Sequence, residues 1–400
     1  MASIQYREIE GRGAGYLALL GVLGALALAA LGAAWAMEHE GHHITGMTNR
    51  IVWGTPHVFA VFLIVAASGA LNVASIASVF GRDLYKPLAR LSGLVAMSLL
   101  AGGLAVLVLD LGRPDRLIVA MTHYNFKSVF AWNIFLYTGF FAVVALYLWT
   151  MFERRMHGYT RRAGVLAFLW RLVLTTGTGS IFGFLVAREP WHGALLAPLF
   201  IVLSFSLGLA VFVLVLMAAY RWSGRALGDA VLVRLRQLLG VFVAAVLYFV
   251  AVQHLTNLYV ARQHEVERFF LVEGGIYTLL FWLGQVLVGG VLPLVLVYAA
   301  SSRRTLAAAA ACVIAGGLAQ LYVLIIGGQA YPQQVFPDKE VSSSFFDGVV
   351  APYAPSLPEV ALGVGGVALA LALVAVALKL LPFLPQSLAD SDVGAARPAA

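Results

Sequence analysis

Stretches of about 20 apolar residues alternate with short polar segments along the whole chain, near 14–36, 55–80, 93–111, 129–151, 165–187, 197–220, 238–261, 276–300, 305–327 and 358–381. Each is long enough to cross hydrocarbon as a helix, and a helix satisfies its own backbone there. The pattern predicts an all-α polytopic membrane protein of about ten transmembrane helices, with residues 1–400 forming one integral membrane domain. A signal peptide is the rival reading of the first run, because Ala34-Trp35-Ala36 has the small-residue spacing of a cleavage site. That run exceeds the 7–15 apolar residues of a typical signal core, which favours a retained helix.

Composition points to the same solvent. Hydrophobic residues make up 61% of the chain and charged residues 11%, with a mean hydropathy of +0.90. A soluble domain carries about 25% charged residues to cover its surface. The net charge of +7 is no sign of a nucleic-acid partner, since the basic residues sit in the short loops between apolar runs. In such positions they orient a protein in lipid. The single cysteine, Cys312, excludes an intrachain disulfide. It also excludes an iron–sulfur cluster held by this chain alone, which needs about four thiolates.

Lys and Arg are distributed unequally across the two sides. The N-terminus, the loops 81–92, 152–164, 221–237 and 301–304 and the C-terminus hold 17, and the alternate segments hold 8. The positive-inside rule then puts both termini in the cytoplasm and segments 37–54, 112–128, 188–196, 262–275 and 328–357 outside. The last of these carries Pro332, Pro337, Pro352, Pro355 and Ser342-Ser343-Ser344, and reads as irregular cover. The tail 386–400 is small and polar and is expected to be disordered.

A weak internal repeat divides the sequence. The second run opens with Pro56 and reaches Ser68-Gly69-Ala70; the sixth opens with Pro198 and reaches Ser206-Leu207-Gly208. This predicts two four-helix bundles, 55–187 and 197–327, flanked by the first and tenth helices.

Polar side chains inside the spans cost several kcal/mol and default to functional candidates. They concentrate in the outer third of the membrane: His57, Asp110 and Asn133 in the first half, His254, Asn257 and Gln320 in the second. Asn133 and Gln320 also suit plain interhelical hydrogen bonding, and Glu273 suits the interface. Arg171 lies deeper and is expected to snorkel toward the cytoplasm beside Arg161 and Arg162. His39, His42 and His43 with Glu38 and Glu40 offer donors for a metal, but adjacent exposed histidines more often decorate a loop, so no metal site is assigned.

A histidine and an aspartate at one depth suit quinol chemistry. A quinol gives up two electrons and two protons, and its site needs an apolar cleft, polar groups at the ring oxygens and a nearby proton acceptor. A neutral imidazole accepts a proton near pH 7, and a carboxylate beside it fixes the tautomer. The electrons then need an acceptor in a partner, because this protein supplies none.

The residues Asp110-Leu111-Gly112-Arg113-Pro114-Asp115-Arg116, then Tyr124-Asn125-Phe126-Lys127-Ser128 and Trp132, resemble the NrfD/PsrC family of quinone-interacting membrane subunits. Phe281-Trp282 and Gly289-Gly290-Val291-Leu292-Pro293 are of the same type. The layout is similar to the ten-helix branch of that family. The stretch from Gly46 through Trp53-Gly54-Thr55-Pro56-His57 to Gly81 most resembles its DsrP members, from the Dsr complex of dissimilatory sulfur metabolism.

The resemblance implies a haem-free subunit of a bacterial cytoplasmic membrane that exchanges electrons between menaquinone or ubiquinone and an extracytoplasmic ferredoxin-like iron–sulfur subunit. Further cytochrome and membrane subunits of a Dsr-type complex would accompany it. His57, Trp53, Asp110, Arg113, Tyr124 and Asn133 are then the candidate quinone-binding residues, with His57 and Asp110 carrying the proton chemistry. Some members have an asparagine where this sequence has Trp53, so the outer wall of the pocket differs. Gly112 and Pro114 would end the third helix sharply, and Arg113 could pair with Asp110. Two other readings compete: a proton-translocating or transport subunit without a redox role, and a b-type cytochrome with His57 and His254 as axial ligands.

Overall fold

The computed structural model of the protein describes residues 5–299, 301–333 and 348–392. Ten helices in it are long and apolar enough to cross a membrane: α1 (Ala14–Glu40), α2 (Thr55–Ser78), α3 (Asp83–Leu109), α4 (Val129–Phe152), α5 (Arg154–Gly183), α6 (Leu196–Ser223), α7 (Asp229–Tyr259), α8 (Ile276–Ala299), α9 (Arg303–Ala330) and α10 (Leu357–Leu380). Every expected span is present. The boundaries differ most where helices continue past the hydrocarbon: α3 and α5 each start about ten residues early, on short 3₁₀ turns that carry the basic loop residues.

Helices α2 and α6 approach each other closely in the core. A Cβ added at Gly69 would overlap the carbonyl of Ser204 and reach within 3.1 Å of the Gly208 Cα, and one at Gly208 would overlap the Gly69–Ala70 backbone. The small residues of the repeat therefore serve each other, since backbones in lipid gain packing only by coming this close. Around this seam, α2 packs on α3 and α5, and α4 on α5; α6 packs on α7 and α9, and α8 on both of these. Helices α1 and α10 pair with one another, and α10 lies against α2 and α3. The two outer helices thus cover one side together.

Consecutive helices α3 and α4 pack less extensively than α2 on α3 or α4 on α5, and they meet where Leu148 lies against Gly93. Most of the α4 surface is accordingly unburied.

Arg171 does not snorkel. Its side chain is 0% exposed, Nη2 donates to Asn72 Oδ1 at 2.8 Å, and the guanidinium lies 4.9 Å from the ring centres of both Phe168 and Phe205. Two aromatic faces and an amide replace the water that a longer reach would have found. Nε and Nη1 have no hydrogen-bond partner among the described residues.

The terminal segments meet on one side of the protein. A two-residue strand β1 (Tyr6–Arg7) pairs antiparallel with β2 (Leu384–Pro385), and the Arg90 guanidinium sits 3.9 Å over the Tyr6 ring. The tail expected to be disordered is held as far as Asp392. Gln386 N–H donates to the Gln5 carbonyl, Leu388 pairs with Leu227, and the Asp390 carboxylate accepts from the Asp229 and Ala230 amides at 3.3 and 3.0 Å. Asp390 caps α7, where unpaired N–H groups favour an anion. Residues 393–400 and the Ser342–Ser344 run lie outside the described residues.

Candidate functional site

On the opposite side, Gly54 in extended conformation and Pro56 in the first turn start α2. That start fixes Trp53 just before the helix and His57 one turn into it. The two rings stack with centroids 5.2 Å apart and planes 6° from parallel. Trp53 also stacks on Trp191 at 5.3 Å, and meets Phe130 and Phe182 at 5.8 and 5.9 Å. An aromatic wall drawn from four separate segments thus backs the His57 imidazole.

The other side of His57 faces Asp110 at the end of α3. Nδ1 lies 3.6 Å from Asp110 Oδ2, with side chains 22% and 6% exposed. That separation couples the two electrostatically but is longer than a hydrogen bond. His57 Nδ1 and Asp110 Oδ1 are both buried without a hydrogen-bond partner among the described residues. Unsatisfied buried groups of this kind are costly in an isolated fold and mark a place where a ligand or water completes the set.

Asp110 is turned inward by the way α3 ends. Gly112 has φ +56°, and a Cβ there would come within 3.0 Å of His42 Nε2, so only glycine fits both the conformation and the space. The expected Arg113–Asp110 pair does not form. The turn points Arg113 outward, where Nε and Nη2 donate to Asp115 at 3.2 and 3.4 Å with both side chains more than half exposed. Asp115 holds Arg113 above its ordinary range, and Asp115 is itself lowered by the same hydrogen bond. Among the described residues, Asp110 has no cationic partner other than His57, which is charged only if protonated.

The remaining first-half candidates divide. Asn133 is buried and donates to Val129 O at 2.9 Å and Gly177 O at 3.3 Å, tying α4 to α5; its Oδ1 is unpaired. Tyr124 stacks on Phe135 at 4.3 Å and Phe126 at 5.9 Å, within the connection between α3 and α4, rather than on the Trp53 group. Arg113 is at the surface.

In the second half, His254 Nδ1 donates to Glu267 Oε2 at 2.6 Å, and Asn257 Nδ2 donates to Glu267 Oε1 at 2.7 Å. Glu267 escaped the sequence reading because it lies in the polar connection between α7 and α8. Its neighbours Val266, Phe269 and Phe270 are buried and carry it inward. Glu273 is a surface partner of Arg268. His57 and His254 each turn Nδ1 to a different carboxylate, in different halves of the protein.

Other supporting residues were also invisible to spacing. Buried Glu359 at the start of α10 accepts from the Gly46 and Ser356 amides at 2.9 and 2.8 Å and from the Tyr353 hydroxyl at 2.6 Å. The Thr55 amide in turn donates to Tyr353 Oη at 2.7 Å, so α10 anchors the start of α2. Burial and the adjacent Glu359 push the Tyr353 phenol well above its ordinary range and keep it a donor.

An all-α fold of ten apolar spans, with an acid–imidazole pair beside an aromatic wall, defines a multi-pass membrane protein. Residues 43–333 match the polysulphide reductase NrfD family, and the chain belongs to that family. It is 29% identical to the Hdr-like menaquinol oxidoreductase integral membrane subunit of Archaeoglobus fulgidus, over 98% of this chain and 99% of the relative. It is 22% identical to one subunit of the selenate reductase of Mesobacillus selenatarsenatis, over 86% and 88%. With one subunit of the polysulfide reductase of Wolinella succinogenes it shares 25% identity over 71% of this chain and 96% of the relative.

Proposed function

We propose that the protein is the quinone-interacting membrane subunit of a multi-subunit redox complex, passing electrons between membrane quinone and an iron–sulfur subunit docked on the face that carries His57. The observation that carries this reading is the His57–Asp110 pair, 3.6 Å apart, with an unpartnered atom on each side chain among the described residues. A quinol bound there supplies two electrons and two protons. His57 would take a proton, Asp110 would hold the resulting imidazolium by charge, and Trp53 would limit how the ring seats. The names of the relatives support the quinone link, since one is a menaquinol oxidoreductase subunit. The basic loops support a cytoplasmic location for both termini. Placement in a bacterial inner membrane, in a complex of dissimilatory sulfur metabolism, is supported by the Gly46–Gly81 resemblance to DsrP members.

His57→Ala or His57→Leu tests the reading in the assembled complex. Quinol-linked electron transfer to an artificial acceptor should fall by about 10²–10⁴, the usual cost of losing a positioned proton acceptor. Near-normal turnover in a complex that co-purifies at parental yield would reduce His57 to a packing residue.

A further inference from the structure

The second half of the protein holds a cavity beyond the aromatic wall that backs His57, since Phe200 of its lining stacks on Phe182 at 5.6 Å. It lies among α6, α7, α8 and α9 and is lined by His254, Glu267, Gln285 and Gln320 together with the rings of Phe200 and Phe281. A smaller cavity shares Leu203, Val250, Gln285 and Gln320 with it.

We propose that this cavity is a second binding site, for a hydroxylated apolar ring of the quinol class. The first ground is its polar end. Glu267 is 1% exposed and occupied at both oxygens, by Asn257 and His254. With Nδ1 given to the carboxylate, Nε2 is the ring nitrogen left for a ligand in the cavity that His254 lines, and in the neutral ring it is an acceptor. A ring hydroxyl is the donor that such a nitrogen takes.

The second ground is a set of idle amides. Gln285 and Gln320 are 8% and 7% exposed, and neither carboxamide has a hydrogen-bond partner among the described residues. Buried amides are rarely left so. Each offers both a donor and an acceptor, and can serve a ring oxygen in either its hydroxyl or carbonyl form.

The third ground is the backbone that brings them there. Residues Leu280–Val291 of α8 form a π-helical stretch whose buried positions are Phe281, Gln285 and Gly290, four and five residues apart. Pro293 lacks the N–H that an α-helix would give to residue 289, which loosens the turns before it. Widened turns of this kind recur at functional sites. Here the widening keeps a ring and an amide on one inward face. Apolar walls with a few convergent polar groups are the usual lining of small-molecule sites.

The test is photolabelling of the purified full-length protein in lipid nanodiscs with an azido-substituted short-chain naphthoquinol, followed by peptide mapping. Label is expected on peptides from α7–α9, lowered about tenfold by Gln285→Leu and by His254→Leu, in line with the loss of one hydrogen bond to the ring. His57→Ala should leave this label in place, so the result is independent of the reading of the first site. Absence of second-half label in a parent protein with native melting behaviour overturns the proposal. So does label that survives Gln285→Leu combined with Gln320→Leu, which would mean that the cavity holds only water or adventitious probe.

Discussion

Gln329 holds Trp53 from the other half of the protein. Its Oε1 accepts from the Val52 and Trp53 amides at 2.9 and 3.0 Å, and its Nε2 donates to the Trp53 carbonyl at 2.9 Å. Gln329 lies at the end of α9, so a residue of the second half sets the position of the aromatic ring that backs His57. Arg188 donates to the Gln329 carbonyl at 3.2 Å and Trp191 donates to Leu324 O at 2.8 Å, which completes the brace.

Gln329→Leu should therefore disturb quinol turnover without touching the His57–Asp110 pair. It leaves two amides unpaired, at about 1–3 kcal/mol each if they stay dry. KM for quinol should rise more than kcat falls, and Trp fluorescence should report a changed Trp53 environment. Gln329→Glu should be as harmful, because a carboxylate cannot donate to the Trp53 carbonyl. Parental kinetics in both variants would detach Trp53 from the site.

Asp110→Asn should assemble normally yet turn over slowly. The structure removes the structural explanation for Asp110, since Arg113 pairs with Asp115 at the surface. Arg113→Gln should consequently have little effect on yield, because exposed ion pairs contribute about 0–1 kcal/mol. Adding it to Asp110→Asn should rescue nothing. Loss of the complex from the membrane in Asp110→Asn, reversed in the double variant, would restore the ion-pair account.

Gly69→Val and Gly208→Val should each reduce folded yield sharply. The obstacle at both positions is neighbouring backbone, which cannot rotate away. Overpacking of a core costs about 1–3 kcal/mol even where side chains can adjust. Thermal unfolding in detergent should shift down in both, and Gly13→Val, in open space at the start of α1, serves as the control. A shift no larger than that control would mean that α2 and α6 can separate freely.

Topology is open to a direct check. A reporter fused after Ala400 should behave as cytoplasmic and one inserted at Ser343 as exported, following the 17 to 8 distribution of Lys and Arg. The opposite pair of results would place His57 and Asp110 on the cytoplasmic side and remove the case for an extracytoplasmic partner.

The ten spans, the positions of His57 and Asp110 at the ends of theirs and the small residues of the repeat could all be read from the amino-acid order. Hydrocarbon imposes a fixed run length and a high cost on every polar group, so both leave marks along the sequence. Gly69 and Gly208 were visible as small residues at matching places, but only packing revealed that they face each other. The partners of each polar group were not legible. Spacing suggested Arg113 for Asp110, but the left-handed turn at Gly112 sends the arginine outward. Arg171 had basic neighbours in sequence and aromatic ones in space. Glu267, Gln285, Gln329 and Glu359 reach their surroundings across helices or around a connection, some of them hundreds of residues apart. A sequence records how much each polar residue costs in lipid; which group offsets that cost is decided by the folded contacts.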